Sequence, residues 1–340
     1  MAGITSRGLE EQPDFWLASW HAGAKPVRAT VVVPTFNAEA TLGRALRSAL
    51  GQTMRSIEVI VVDDASTDGS WALIRALAAG DPRLRPIRNK VNRGKSVGMN
   101  RAIAHARGRW LAVLDADDWY HADRLSALIG IGERRQVEMV ADNQVFFDAT
   151  ANRIVGTAWT PAMTEWELTF DGFLEESDAY AKFNMGMLKP VMRTDFMRRA
   201  AVGYEEQARD GHDFLHLLAF FLAGGRAVIS DTPYYHYTQP FGAISHQWSH
   251  AARKRYDFNM LQQLSQHFAA RAQDRLTRSQ HRRLRQRINQ FRSLEHYHRA
   301  KERFAEGDLV GAAGGIARHP GLLAYPARRV RSLLFDRHSH

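Results

Sequence analysis

The chain has 340 residues, 45% of them hydrophobic and 10% aromatic, enough apolar material for one large domain or two smaller ones and too much for a disordered chain. It has no cysteine, which excludes a disulfide framework and a thiolate metal site. The net charge of +10 is concentrated at one end: residues 251–340 carry 19 basic and 7 acidic side chains, a net of +12, and residues 1–250 carry 27 and 29, a net of −2.

Residues 29–34 (ATVVVP) form a β-branched run that reads as a buried strand, followed by helical spacing over 38–50. A second strand is predicted at 57–62 (IEVIVV), then a helix through Trp71, Leu73, Ile74 and Leu77, with Ser66 or Asp68 as its cap and Gly80 at its end. A strand at 84–88, a helix at 95–106 and a strand at 109–114 complete an alternation that predicts βαβ units and a mostly parallel sheet. Beyond His121 a helix at 124–132 precedes strand-like segments at 137–147 and 153–159, joined by a turn at Ala151-Asn152. Residues 164–180 are acidic and aromatic and read as helical. An apolar helix follows at 212–223, then late strands at 226–229 and 234–238. Long basic helices are expected at 251–272 and 278–304, a break at 311–315 and a basic amphipathic end at 320–336. The predicted division is one domain at 1–250, with halves at 27–120 and 121–250, and a helical basic region at 251–340.

Chemistry gathers at the strand ends. In an open parallel sheet, ligands sit beyond the carboxyl ends of the strands. Asp115-Ala116-Asp117-Asp118 directly follows the fourth strand, where two carboxylates one residue apart can hold Mg²⁺ or Mn²⁺ on a bridging diphosphate, or can simply cap a turn. Asp63-Asp64 ends the second strand and Pro34-Thr35-Phe36-Asn37 ends the first. Three polar strand ends on one edge suggest a nucleotide site. No Gly-x-Gly-x-x-Gly or Walker loop is present to cradle phosphates, so a metal is the expected substitute. Asn92-Arg93-Gly94-Lys95 opens a helix, a place suited to an anion or to an ordinary turn.

Residues 31–118 resemble the nucleotide-binding half of an inverting family 2 glycosyltransferase of the GT-A fold. The resemblance rests on Val33-Pro34-Thr35-Phe36-Asn37-Ala38-Glu39, Val61-Val62-Asp63-Asp64-Ala65-Ser66-Thr67-Asp68, Asn92-Arg93-Gly94-Lys95 with Asn100-Arg101, and Leu114-Asp115-Ala116-Asp117-Asp118. It implies a UDP-sugar donor held by Pro34, Thr35, Asn37, Glu39, Asp64, Asn92, Gly94, Lys95, Asn100, Asp115, Ala116 and Asp117. Asp64 would meet uracil, Asp115 the ribose or sugar, and Asp117 the metal, with Asp115 beside it. In Gly211-His212-Asp213-Phe214, His212 replaces the family's usual Glu, and Asp213 carries the implied role of catalytic base, although an Asp at a helix start is often only a cap. Tyr234-Tyr235-His236-Tyr237 with Gly242-Ala243-Ile244-Ser245-His246 resembles a segment closing over the donor, which makes His246 a candidate third ligand.

The family's processive synthases carry transmembrane helices and a Gln-x-x-Arg-Trp signature. Neither is found here, so the resemblance implies addition of a single sugar, with glucose the best guess from family frequency. Related enzymes with basic tails extend lipid-linked saccharides for exopolysaccharide. This implies an enzyme on the inner face of the plasma membrane, with its basic region against anionic lipid. No apolar stretch at residues 1–14 reads as a secretory signal, in keeping with a cytoplasmic expectation. Two other readings are a sugar nucleotidyltransferase and a non-catalytic nucleotide- or nucleic-acid-binding protein. The first lacks its Gly-rich basic loop here, and the second leaves the carboxylates at the strand ends unexplained. Among the aromatics Trp159, Trp166, Phe170, Phe173, Tyr180 and Phe183, most are expected in the core.

Overall fold

The computed structural model describes residues 26–177, 183–239 and 257–318. The elements in order are β1 (Ala29–Thr35), α1 (Glu39–Leu50), β2 (Ile57–Asp63), α2 (Ser70–Gly80), β3 (Leu84–Arg88), α3 (Lys95–His105), β4 (Trp110–Val113), β5 (Trp119–Tyr120), α4 (Arg124–Arg135), β6 (Met139–Asp148), β7 (Arg153–Thr157) and β8 (Glu165–Leu168). There follow α5 (Phe170–Glu176), a 3₁₀ turn (Met185–Met187), β9 (Val191–Arg193), α6 (Thr194–Arg199), α7 (His212–Leu222), β10 (Ala227–Gln239), α8 (Phe258–Arg271), α9 (Arg278–Ala305) and α10 (Leu309–Arg318). Two compact units emerge, one from Met1–Glu167, Lys189–Glu206 and Gly225–Ala252, the other from Leu168–Leu188, Gln207–Gly224 and Arg253–His340.

The first unit holds a mixed sheet in the order β3-β2-β1-β4-β9-β6-β10-β5, with β7 on β6 and β8 on β10. Strands β3, β2, β1 and β4 run parallel, with Ala29 opposite both Ile57 and Trp110. β1 and β2 are buried along all seven residues each, as β-branched runs covered on both faces should be. α1 buries Leu42, Ala45, Leu46 and Ala49, one stripe at helical spacing. The parallel order brings Thr35 level with Asp63, and residues after Val113 emerge on the same edge. β9 runs antiparallel to β4, so it enters the sheet where β4 leaves it.

The second unit is helical. Its core stacks Phe173 on Phe214 and Phe221 at 5.6 and 5.0 Å, with Phe291 edge-on to Phe214 at 5.4 Å. A capping box of Thr277 and Gln280 starts α9, which buries Leu284, Ile288, Phe291 and Leu294 on one face.

Several expectations change. Residues 164–177 are not one helix: Glu165-Trp166-Glu167-Leu168 alternates with period two and forms β8, and Phe170–Glu176 is the helical part among the described residues of the expected 164–180 helix. The two late strands are one, β10, whose register against β6 shifts between Ser230 and Tyr235 around Pro233. The glycines at 311–315 do not end the helical pattern but lie inside α10, where Asp308 accepts the Gly311 N–H at 2.8 Å. The compact units divide between Ala252 and Arg253, and α5 and α7 also belong to the helical unit, because they share the aromatic core of the C-terminal helices. Phe173 and Phe183 are buried as expected, whereas the indole N–H groups of Trp159 and Trp166 both donate to buried Asp231, at 2.9 and 3.1 Å. Tyr180, His246 and the segment 320–336 lie outside the described residues.

Candidate active site

The ends of β1 and β2 are tied to each other. Asn37, in the left-handed region at φ 47°, accepts from the Thr67 N–H at 2.9 Å and donates its own N–H to Ser66 Oγ at 3.0 Å. Glu39 Oε2 accepts from the Gly69 N–H at 2.9 Å. Thr35 is buried, its hydroxyl turned to Val33 O at 3.3 Å. Pro34 lies inside β1. These side chains therefore build the wall of the edge, and Asn37 and Glu39 do so through hydrogen bonds between loops.

Asp64 is buried and accepts three donors: Asn89 Nδ2 at 2.8 Å, the Arg93 N–H at 2.9 Å and the Gly94 N–H at 2.7 Å. Gly94 has φ 91°, a conformation a side chain would strain, and this bend aims its N–H at the carboxylate. The next residue, Lys95, places Nζ 2.8 Å from Asp115 Oδ1. Two consecutive residues thus join the acidic end of β2 to the acidic loop after β4. Asn92, on the same loop, is exposed. Asn100 faces elsewhere, its amide holding the backbone N–H and C=O of Tyr204, both at 2.8 Å.

The acidic loop divides its work. Asp115 carries Lys95 on one oxygen and buried Lys189 on the other, both at 2.8 Å. Ala116 is buried beneath it. Asp118 is buried, accepting from Tyr235 Oη at 2.6 Å and the Thr238 N–H at 2.8 Å, and burial, with Asp117 and Asp115 adding to it, pushes its carboxyl well above the usual range. Asp117 has its carbonyl held by Arg44 Nη2 at 2.7 Å and by the Thr238 hydroxyl. Its carboxyl is raised by burial and by neighbouring Asp115, and it forms no salt bridge among the described residues. The charge on Asp115 is already balanced by two ammonium groups. Asp117 is the carboxylate that a divalent cation would relieve, so the residues present fit a metal at Asp117 with Asp115 beside it. Among the described residues no three His, Asp or Glu side chains converge as a metal-binding group.

Lys189, Arg44 and Thr238 are absent from the sequence-based site, and Tyr235 enters it only within the segment expected to close over the donor. Lys189 precedes a three-residue strand whose antiparallel entry beside β4 carries it to the ligand edge. Nothing local in Leu188-Lys189-Pro190 signals that reversal. The Lys189 carbonyl is fixed in turn by buried Arg124, whose guanidinium also holds buried Asp142 at 2.7 Å. A cavity of about 340 Å³ lined by Arg109, Glu133, Glu138 and Arg193 contains none of the predicted site residues. In the second unit Asp213 lies in the first turn of α7, after Gly211 at φ 64°, with His212 Nε2 3.6 Å from its Oδ1.

Similarity to known proteins agrees with this geometry. The glycosyl transferase family 2 model matches residues 30–192. The succinoglycan biosynthesis protein ExoO of Rhizobium meliloti (strain 1021) is 34% identical over 219 residues, 64% of this chain and 62% of that one. The UDP-Glc:alpha-D-GlcNAc-diphosphoundecaprenol beta-1,3-glucosyltransferase WfaP of Escherichia coli is 31% identical over 118 residues, 35% of this chain and 43% of that one. The chain thus spans less than two thirds of either relative. The crystal structure of S. aureus TarS 1–349 in complex with UDP-GlcNAc superposes with a TM-score of 0.58 at 20% identity, covering 72% of this chain and 66% of that one, which supports the shared GT-A fold. The parallel half-sheet, the acidic loop after β4 and these matches together show that residues 30–192 are similar to a glycosyl transferase family 2 domain.

Proposed function

We propose that this chain is an inverting glycosyltransferase that moves one sugar from a UDP-sugar to a hydroxyl of a lipid-linked saccharide in exopolysaccharide synthesis. The observation that carries the reading is the link Asp64–Gly94–Lys95–Asp115, which joins two acidic strand ends into one edge with cations already at hand. In this reading Asp64 and its loop meet the base, Asp115 meets the ribose or sugar, and Lys95 and Lys189 stand beside the diphosphate. Glucose is the working choice of sugar, in keeping with the donor named for WfaP.

Inversion is a single displacement at the anomeric carbon, so two tasks fall to the protein. Asp213 takes the proton of the acceptor hydroxyl as that oxygen attacks. Cationic groups then stabilise the departing diphosphate. Mn²⁺ or Mg²⁺ on Asp117, with Asp115 beside it, would supply Lewis-acid stabilisation of that leaving group. His246 stays a candidate additional ligand. Among the described residues no helix is long and apolar enough to cross a membrane, and the basic region at 251–340 supports attachment to an anionic inner leaflet.

A screen of UDP-sugars for thermal stabilisation and turnover, with and without Mn²⁺ or Mg²⁺, tests the reading. Stabilisation by a UDP-sugar and release of UDP on adding a saccharide acceptor are expected. Turnover of a nucleoside triphosphate with a sugar 1-phosphate would instead identify a nucleotidyltransferase.

A further inference from the structure

Helix α9 carries a charge pattern that its packing does not use. Residues 278–294 contain six arginines and no acidic residue. Two of the six are committed inward or sideways: Arg287 lies 4.4 Å from the Phe291 ring, and Arg283 pairs with Asp171 and Glu175 at 3.1 and 2.9 Å. Arg278, Arg282, Arg285 and Arg292 are exposed and have no carboxylate partner among the described residues. Arg278, Arg285 and Arg292 recur every seven residues, and Arg282 falls four after the first and three before the second. A heptad step returns to within about 20° of the same direction, so these side chains form one ridge about 21 Å long. Leu284, Ile288 and Phe291 are buried on the other side of the helix. Phe304 in the last turn of α9 and Leu309 and Val310 at the start of α10 are 66%, 59% and 86% exposed, an apolar corner at the turn between the two helices, about 18 Å along α9 from Arg292 and interspersed with the exposed charges of Glu302, Glu306 and Asp308.

We infer that the Arg278, Arg282, Arg285 and Arg292 face of α9 lies against an anionic lipid bilayer, with headgroup phosphates on the arginines and the apolar corner at the acyl boundary. The inference deepens the membrane attachment proposed above by assigning it a surface. Charge complementarity alone fits any polyanion. The apolar corner favours lipid, because it meets acyl chains in a bilayer and nothing comparable on a nucleic-acid backbone. The ridge also has no aromatic side chain for base stacking, the usual companion of a basic groove for single strands.

The test is co-sedimentation of the full chain with vesicles containing phosphatidylglycerol, compared with vesicles of phosphatidylcholine alone. R278Q/R285Q/R292Q should weaken partitioning roughly hundredfold, from about fivefold for each arginine near a charged surface. R278K/R285K/R292K keeps the charge and should bind within a few-fold of the parent. R328Q/R329Q/R331Q in the 320–336 segment should leave the ridge-dependent part in place. UDP affinity unchanged in every variant serves as the folding control. Equal binding by the parent and the glutamine variant would overturn the ridge while leaving membrane attachment standing. If the parent binds neither vesicle, membrane attachment itself fails and the ridge with it. Arginine-dependent binding of single-stranded RNA in preference to phosphatidylglycerol would replace the lipid with a nucleic acid.

Discussion

The ammonium of Lys189 lies 2.8 Å from Asp115 Oδ2, on the side of the carboxylate opposite Lys95. Lys189 is buried, and its carbonyl is held by the Arg124–Asp142 pair, so its position is fixed from inside the sheet. A buried charge with this much support is costly to keep unless it serves a partner. In the proposed reading that partner is the donor diphosphate. Lys189→Met, which keeps the volume and removes the charge, is expected to weaken UDP binding about tenfold, a loss of ~1.4 kcal/mol. Uridine, which has no diphosphate, should bind as before. Calorimetry with both ligands checks this, and an unchanged affinity for UDP would confine Lys189 to neutralising Asp115.

Asp64 gives a second test. All three of its donors are N–H groups from the segment that carries Asn89, Arg93 and Gly94. Asp64→Asn turns an NH₂ toward those donors. It should cost about 1.5–3 kcal/mol of stability, the range for hydrogen bonds to a charged group. It should also loosen the loop that positions Lys95. Urea denaturation and UDP titration of the variant measure the two effects. Full stability together with lost UDP binding would point to a pure contact role instead.

Much of this edge was legible in the sequence. The strands from Ala29 to Val113 announce themselves as β-branched runs between amphipathic helices, and parallel pairing then forces Thr35, Asp64 and Asp115 onto one edge. Lys189 was not legible, because its place depends on a three-residue strand reversing beside β4. Tyr235 reads only as part of a segment closing over the donor and Thr238 as the end of a late strand; the pairing of β10 with β5 and β6 is what sets both against Asp118. β8 was missed because aromatic and acidic residues in Glu165-Trp166-Glu167-Leu168 obscured a simple alternation. Asn37, Glu39 and Asn100, which the resemblance implies as ligand contacts, hydrogen-bond to Thr67, Gly69 and Tyr204, partners that only the folded loops bring within reach.

Asp231 provides a pH signature away from the site. Its two oxygens accept four N–H groups, from Trp159, Trp166, Ala162 and Met163, at 2.7 to 3.1 Å. Burial pushes its carboxyl up, but the hydrogen bonds from Met163, Trp159 and Ala162 outweigh it and the net shift is downward. A folded value below the unfolded one, about 3.9, means stability that is present above that pH and lost as pH falls through the folded value. Asp231→Asn should therefore cost about 2–3 kcal/mol at neutral pH. The gap from the parent should close on acidification below about pH 4. Denaturant midpoints at neutral and acidic pH measure it, and a constant gap would mean that the carboxylate charge is not what holds the two indoles.

Asp213 and Asp117 should separate chemistry from binding. If Asp213 accepts the acceptor's proton, Asp213→Asn should lower kcat by roughly 10²–10⁴-fold. UDP affinity should stay unchanged, because that residue takes no part in holding the nucleotide. Asp117→Ala should do the reverse at the first step. It removes a carboxylate that forms no salt bridge among the described residues and that burial and Asp115 push upward, so the increase in UDP affinity on adding Mn²⁺ should vanish while metal-free affinity changes little. Paired titrations, with Mn²⁺ and with a chelator, read both variants on one scale. A full kcat in Asp213→Asn would move the base to another residue. A retained Mn²⁺ effect in Asp117→Ala would move the metal. The two failures are independent, since one concerns proton transfer and the other the leaving group's charge.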